Sequence, residues 1–222
     1  MSERKPMQPL SESQMESLET AVQSYQDQFM ADAARYLLSR GVDRELATTF
    51  RLGVVTDPVP GHGRFRGMLA IPYLDKDGHP LTIRFRCLQQ HDHRAAFHGK
   101  YNSMAEDPSR VFNIKAIFDA KDEIHIAEGE FDAMILNKVG LPAVAIPGAH
   151  GWQYHHRRML AGFSRVYVWG DPDDAGAEFV TKVVASMRAA KGVGLKVGDV
   201  TETYLQGGAE ALYALINREV KQ

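Results

Sequence analysis

The chain has 222 residues, 44% of them hydrophobic, and a formal net charge of -2, values ordinary for one large globular domain or two small ones. Cys87 is the sole cysteine, which excludes an internal disulfide and, on cysteine count, a cysteine-based zinc site, so no zinc is expected in this chain. No apolar run approaches the ~20 residues a membrane helix needs, and the amino terminus lacks the apolar core of a secretory signal, so the expectation is a soluble intracellular protein with no membrane partner.

In chain order, residues 1–10 read as a flexible tail with two prolines. Ser13 with Glu16 forms a capping-box pattern. Met15, Leu18, Val22, Tyr25, Phe29, Tyr36 and Leu37 then recur at helical spacing, which predicts one amphipathic helix reaching Ser39 and stopped by Gly41. Asp43 is placed to cap a short helix with Leu46, Ala47 and Phe50 inward. Met68–Tyr73 and Leu81–Leu88 read as strands joined by the turn Asp75-Lys76-Asp77-Gly78. In the second strand Ile83, Phe85 and Cys87 alternate with Arg84 and Arg86. Two arginines on one strand face suit forked hydrogen bonds to phosphate, though a solvated edge gives the same pattern. Residues 89–108 read as a polar loop, and 111–120 as a short helix or turn.

From residue 123 the pattern alternates strand and helix. Strands are expected at 124–127, 143–146, 166–169 and 195–197, and helices at 131–139, 151–161, 175–190 and 209–216. Such alternation implies a parallel sheet covered by helices. Charge divides the chain in the same way. Residues 61–115 hold Arg64, Arg66, Lys76, Arg84, Arg86, Arg94, Lys100, Arg110 and Lys115 against five acids, with five of the nine histidines. A basic half therefore precedes an acidic one.

Two strands run out into acids and a glycine: Ile126-Ala127-Glu128-Gly129 with Asp132, and Val168-Trp169-Gly170-Asp171-Pro172-Asp173-Asp174-Ala175-Gly176. Ligands of open α/β sheets bind beyond the carboxyl ends of strands. An aspartate at a helix start is often only a cap, but a strand end does not need a glutamate. Carboxylates gathered from both ends would repel unless a divalent cation sat among them, and hard cations such as magnesium or manganese prefer oxygen ligands.

At these residues the chain resembles the TOPRIM fold of DnaG-type bacterial and phage primases. Glu128-Gly129 with Asp132 is similar to the first TOPRIM motif, and Asp171-Pro172-Asp173 to the Asp-x-Asp motif, with proline in place of the usual glycine. Tyr36 to Val42 with Phe50 to Gly53, Arg64-Phe65-Arg66 leading into Met68 to Tyr73, and Arg84-Phe85-Arg86 resemble segments of the primase polymerase domain. Lys100-Tyr101-Asn102-Ser103 resembles its Lys-Tyr-x-Asn-Ser motif with one residue missing, and Asp199 with Tyr204-Leu205 its closing segment.

The resemblance implies an α/β fold: a TOPRIM-type parallel-sheet domain with helices on both faces over residues 121–222, preceded by a smaller basic α+β subdomain over 11–120. It implies a DNA-directed RNA polymerase of the primase type, making RNA primers on single-stranded DNA from nucleoside triphosphates with Mg2+ or Mn2+. Asp171 and Asp173 would bind metal, with Asp199 a further ligand. Glu128 would be a ligand or a proton acceptor, and Asp132 would support the site. Arg64, Arg66, Arg84, Arg86, Lys100, Tyr101, Asn102 and Arg110 would hold nucleic acid and triphosphate, with Tyr101 either stacking on a base or packed in the fold. The zinc-binding and helicase-binding parts of a full primase are not expected in this chain. A replicative helicase or a separate zinc-binding primase subunit would then be the partner, in the cytoplasm of a bacterial or phage-infected cell. The rival readings are a TOPRIM nuclease and a non-catalytic nucleic-acid-binding or helicase-loading module.

Overall fold

The structure, a computed structural model, describes residues 9–28, 31–93, 95–96, 98–105, 110–147, 151–195 and 198–219; most of the expected 1–10 tail, Phe29 and Arg94 lie outside them. The chain divides into two compact units, residues 1–33 with 47–110, and 34–46 with 111–222. This differs from the expected division at 120/121. No helix among the described residues is long and apolar enough to cross a membrane.

In the first unit, α1 (Glu12–Asp27) packs on the antiparallel sheet β1 (Gly53–Val54), β2 (Leu69–Leu74), β3 (Pro80–Arg86) and β4 (Tyr101–Asn102), in the order β1-β2-β3-β4. The helix begins two residues before the expected position. Ser11 is the N-cap, and its hydroxyl accepts from the Gln14 amide at 3.3 Å while Gln14 Oε1 accepts from the Ser11 amide at 2.9 Å. A capping box forms, but with the serine-to-glutamine pair two residues earlier than the expected Ser13 and Glu16. The single long helix is also corrected: α1 ends at Asp27, and α2 (Ala31–Ser39) is a separate helix. Ala21, Val22 and Tyr25 meet Val55, Phe65, Met68, Ala70, Ile83 and Phe85 in the core. Each such large apolar side chain contributes roughly 1.5–3 kcal/mol by leaving water. Approach of α1 to β1 is so close that a Cβ on Gly53 would lie 2.3 Å from the Tyr25 carbonyl carbon. The expected hairpin turn forms, with Gly78 at φ +92° and Asp75 Oδ1 accepting from the amides of Asp77 and His79 at 2.8 and 2.9 Å. β4 lies inside the stretch read as loop, because Phe85 and Arg86 of β3 pair with Asn102 and Tyr101.

The second unit is a four-stranded parallel sheet of β5 (Glu123–Ala127), β6 (Ala143–Ala145), β7 (Arg165–Trp169) and β8 (Ala190–Val193), in the order β6-β5-β7-β8. Four helices connect or close it: α5 (Glu130–Lys138), α6 (Tyr154–Leu160), α7 (Asp174–Ser186) and α8 (Val200–Leu215), while α4 (Lys115–Asp119) leads in. Ile124, Ile126, Val144, Val166, Val168, Phe179 and Val183 form its buried centre. A strand falls at 190–193, and α7 is correspondingly shorter; of the strand expected at 195–197, residues 196 and 197 lie outside the described residues. Gly192 explains the placement, since a Cβ there would lie 2.7 Å from Val180 Cγ1; only a glycine allows α7 to lie that close. The closing helix begins at Val200, not at 209, and its two helical stretches meet at Gly208, φ +66°. α3 (Arg44–Thr49) is capped by Asp43 as expected, Oδ1 accepting from the Leu46 amide at 2.9 Å.

Residues 34–46 join this unit for a definable reason. Lys138 donates to the Gly41 carbonyl at 2.7 Å and pairs with Asp43 at 2.8 Å, and the Tyr36 ring meets Phe131 edge-on at 6.0 Å. A second polar assembly runs beneath the sheet. Trp169 Nε1 donates to Nδ1 of the fully buried His125 at 2.9 Å, so His125 carries its proton on Nε2 and donates to Glu123 Oε1 at 3.1 Å. Arg218 closes a two-pronged pair on Glu123. Burial pushes the Glu123 carboxyl up, but bonds from His125 and Arg218 outweigh it and hold it well below the usual range.

Candidate active site

β5 and β7 are neighbours in the sheet, with Ala127 opposite Trp169. From them the chain leaves in opposite directions, through α5 to β6 on one side and through α7 to β8 on the other. The crevice at such a reversal is where open α/β sheets take their ligands. Glu128 leaves β5 there, and Gly170-Asp171 leaves β7.

Glycines shape both exits. A Cβ on Gly176 would lie 2.2 Å from the Asp171 carbonyl oxygen, and one on Gly170 would lie 2.6 Å from the Gly176 carbonyl oxygen. The turn from 170 to 176 therefore folds back on itself with backbone against backbone. Asp173 caps α7, its Oδ1 accepting from the Gly176 amide at 2.8 Å. On the β5 side a Cβ on Gly129 would lie 2.7 Å from Asp132 Oδ2, so that glycine lets Asp132 point back beneath the strand end.

Asp132 is buried, and its Oδ1 accepts from the Thr201 amide at 3.1 Å and the Thr201 hydroxyl at 2.9 Å. Asp199 caps α8 through Oδ1, which accepts from the Glu202 amide at 2.7 Å, while its Oδ2 receives Arg40 Nη2 at 2.8 Å. The Arg40 guanidinium also lies 5.7 Å from the Phe131 ring centre.

The electrostatics tie these groups into one centre. Burial, then Asp199 and Asp171, push the Asp132 carboxyl up to about 7, against the Thr201 bonds that lower it. Burial raises Asp171 too, helped by Asp199 and Asp173 and opposed by Arg40. Glu128 is raised by burial and then by Asp171 and Asp173. The two strand ends thus share one field. Glu128 Oε2 is buried and has no hydrogen-bond partner among the described residues. An unmet buried carboxylate oxygen facing like charges is the arrangement a cation relieves. All donors here are oxygens, which fits magnesium or manganese.

Of the expected site residues, Glu128, Asp132, Asp171, Asp173 and Asp199 gather here. Arg40 and Thr201 were missed as contributors. Arg40 lay within a stretch already singled out for its resemblance, but neither residue carries a sequence signal that points at a carboxylate so far along the chain.

The expected phosphate-holding residues lie in the first unit. Arg84 and Arg86 both stand over the Tyr101 ring, at 4.5 and 4.7 Å, and Arg86 also donates to the Tyr101 hydroxyl. Arg86 is buried, so the picture of two arginines held out from an edge applies to neither its burial nor its contacts. Arg64 is exposed, donates to the Ser103 carbonyl at 2.8 Å and lies over Phe65; Arg66 donates to the Thr56 carbonyl. Asn102 exchanges bonds with Gly99, at 3.1 and 2.7 Å. Lys100 is exposed and Arg110 half-buried.

No protein-family model matches the sequence. Over 153 residues the chain is 31% identical to the Gene 57 protein of Mycobacterium phage D29, a match covering 67% of this chain and 97% of that protein. Among solved structures, the RNA polymerase domain of Mycobacterium tuberculosis primase DnaG superposes with a TM-score of 0.77 at 21% identity, over 94% of this chain and 84% of that one. The zinc-binding and RNA polymerase domains of the Aquifex aeolicus primase give 0.74 at 21% identity, over 94% of this chain but 62% of that one, so the chain spans less than two-thirds of that protein. The chain belongs to the family of the phage D29 Gene 57 protein and is built on the catalytic-core fold of DnaG-type primases.

Proposed function

We propose that the protein is a primase-type nucleotidyltransferase, joining a nucleotide 3′-hydroxyl to the α-phosphate of an incoming nucleoside triphosphate on a single-stranded DNA template. The observation that carries this reading is the buried, unpartnered Glu128 oxygen beside Asp171 and Asp173 at the sheet's reversal point. Bound magnesium or manganese would supply charge neutralisation at the attacking and leaving oxygens. Asp171 and Asp173 would hold it, with Asp199 as a further ligand. Glu128 serves as ligand or as acceptor of the hydroxyl proton. Asp132 and Arg40 position Thr201 and Asp199 respectively. Arg64, Arg66, Arg84, Arg86, Lys100 and Arg110 hold phosphate oxygens, and Tyr101 and Asn102 shape that surface.

Relatives support the template and the partner. A DnaG primase catalytic domain has been solved bound to single-stranded DNA, and the T7 relative is part of a primase-helicase protein. A replicative helicase, or a separate zinc-binding primase subunit, is the partner we infer, with priming taking place in the cytoplasm of a phage-infected cell.

The test incubates the protein with single-stranded DNA, labelled nucleoside triphosphates and magnesium or manganese. Chain growth that disappears in a folded Asp171→Ala, Asp173→Ala double variant supports the proposal. Shortening of the DNA would instead identify a nuclease, and binding without either reaction a loading module.

A further inference from the structure

The loop that joins β3 to β4 gathers four side chains that the polymerase reading does not use. Cys87 immediately follows β3, and its amide donates to the Lys100 carbonyl at 3.0 Å, which closes the loop's base. Within it, one ligand atom each from Cys87, His91, His93 and His98 lies within 4.8 Å of all the others. Cys87 Sγ is 3.7 Å from His91 Nε2. The three imidazole centres are 4.6, 5.0 and 5.4 Å apart.

These distances suit tetrahedral coordination. With sulfur at ~2.3 Å and nitrogen at ~2.1 Å from a zinc ion, ligand atoms stand roughly 3.4–3.6 Å from one another. The second layer of contacts is in place as well. His98 Nδ1 lies 2.9 Å from the Gly99 carbonyl. As donor to that oxygen it leaves Nε2 with a free lone pair, the usual means by which a ligating histidine is oriented. Nδ1 of His93 is buried and has no hydrogen-bond partner among the described residues. Ala95 and Ala96 are exposed, so they contribute no apolar core to hold the loop. A thiol and three imidazoles converging on one point form a donor set that a single borderline-soft cation can share.

We propose that Cys87, His91, His93 and His98 form a structural zinc site that pins the β3–β4 loop. One thiolate with three imidazoles selects zinc over the hard cations suited to the acidic centre, and four protein ligands leave no open position for catalysis. The expectation of no zinc rests on the cysteine count alone, and this site, which draws three of its four ligands from histidines, would stand against it. By fixing the chain entering β4, the ion would set the register that brings Tyr101 beneath Arg84 and Arg86.

Full-length protein purified without added metal, then dialysed, should carry ~1 zinc per chain by elemental analysis. Exchange for cobalt should give the strong visible bands of a tetrahedral ion and a thiolate-to-cobalt charge-transfer band. Cys87→Ser should abolish the charge-transfer band, and His91→Ala with His98→Ala should reduce bound zinc at least tenfold. Asp171→Ala with Asp173→Ala should leave it unchanged. A folded wild-type protein that takes up neither zinc nor cobalt in this form overturns the proposal. So does zinc that survives the Cys87 and histidine changes but is lost with the aspartates. Because the cobalt spectrum is read on the wild type, misfolding of a variant does not spare the proposal. Primer synthesis is not the readout, so the zinc site and the polymerase reading stand or fall separately.

Discussion

Replacing Asp132 with asparagine separates the charge of this residue from its shape. The carboxyl is buried, and burial with Asp199 and Asp171 raises it from 3.8 to about 7. A group whose folded pKa lies above its unfolded value stabilises the protein fully below the unfolded value, and the contribution fades as pH climbs through the folded one. The window here runs from about 3.8 to about 7. At ~1.36 kcal/mol per unit, the metal-free protein loses about 4 kcal/mol across it, roughly 2–3 kcal/mol of that between about pH 5 and pH 8. Asparagine keeps an oxygen to accept from Thr201 and has no proton to lose. Urea unfolding in the presence of a chelator should therefore show wild-type stability falling over that range. The Asp132→Asn curve should be flatter, leaving the variant the more stable protein at the alkaline end. Raised Asp171 and Glu128 give the variant a smaller slope of the same sign. Parallel curves for the two proteins would refute the reasoning, since they would mean that Asp132 ionises in the fold at no cost.

Gly176→Ala should unseat the Asp171 turn, because the new methyl would lie 2.2 Å from a backbone oxygen; a loss of roughly 3 kcal/mol or more, read by thermal denaturation, should accompany weaker magnesium binding by calorimetry. Arg40→Gln leaves Asp199 without the partner that orients its Oδ2, so primer synthesis in the labelled-nucleotide assay should fall even at saturating magnesium. Glu123→Gln removes the shared partner of His125 and Arg218 and should cost about 2–3 kcal/mol in urea unfolding near neutral pH, discounted for the partial exposure of Arg218. Arg84→Gln should weaken binding of single-stranded DNA and lower the slope of log affinity against log salt by ~1 if its guanidinium meets a phosphate.

The acid-bearing strand ends were legible because parallel strands give short apolar runs and their glycines stand beside carboxylates: Glu128-Gly129 and Gly170-Asp171 declare themselves locally. Position 192 shows the opposite case. Its glycine marks contact with α7, but Lys191-Gly192 reads as loop and the more apolar 195–197 drew the strand assignment. α2 separates from α1 at Gln28, whose backbone leaves the helical range, although the apolar spacing continues across the break. Arg40 and Thr201 belong to the site through long-range pairing, which no periodicity encodes. The histidines of the β3–β4 loop were visible as residues but not as a set, since irregular spacing acquires meaning only when the loop is folded.

Because β5 and β7 are bonded side by side, the ladder between them sets the distance from Glu128 to the aspartates, and the excursion through α5, β6 and α6 does not. Insertions or deletions between β6 and β7 are therefore free to accumulate while the cation's surroundings keep their dimensions, whereas α5 carries Asp132 and is bound to its register; this suits a scaffold shared with proteins only 21% identical to it. A slip of two residues along the same ladder would have the reverse effect. Every apolar side chain would still face inward, yet the glutamate would be carried about 6.6 Å past its companions, giving a well-packed molecule with a dismantled centre.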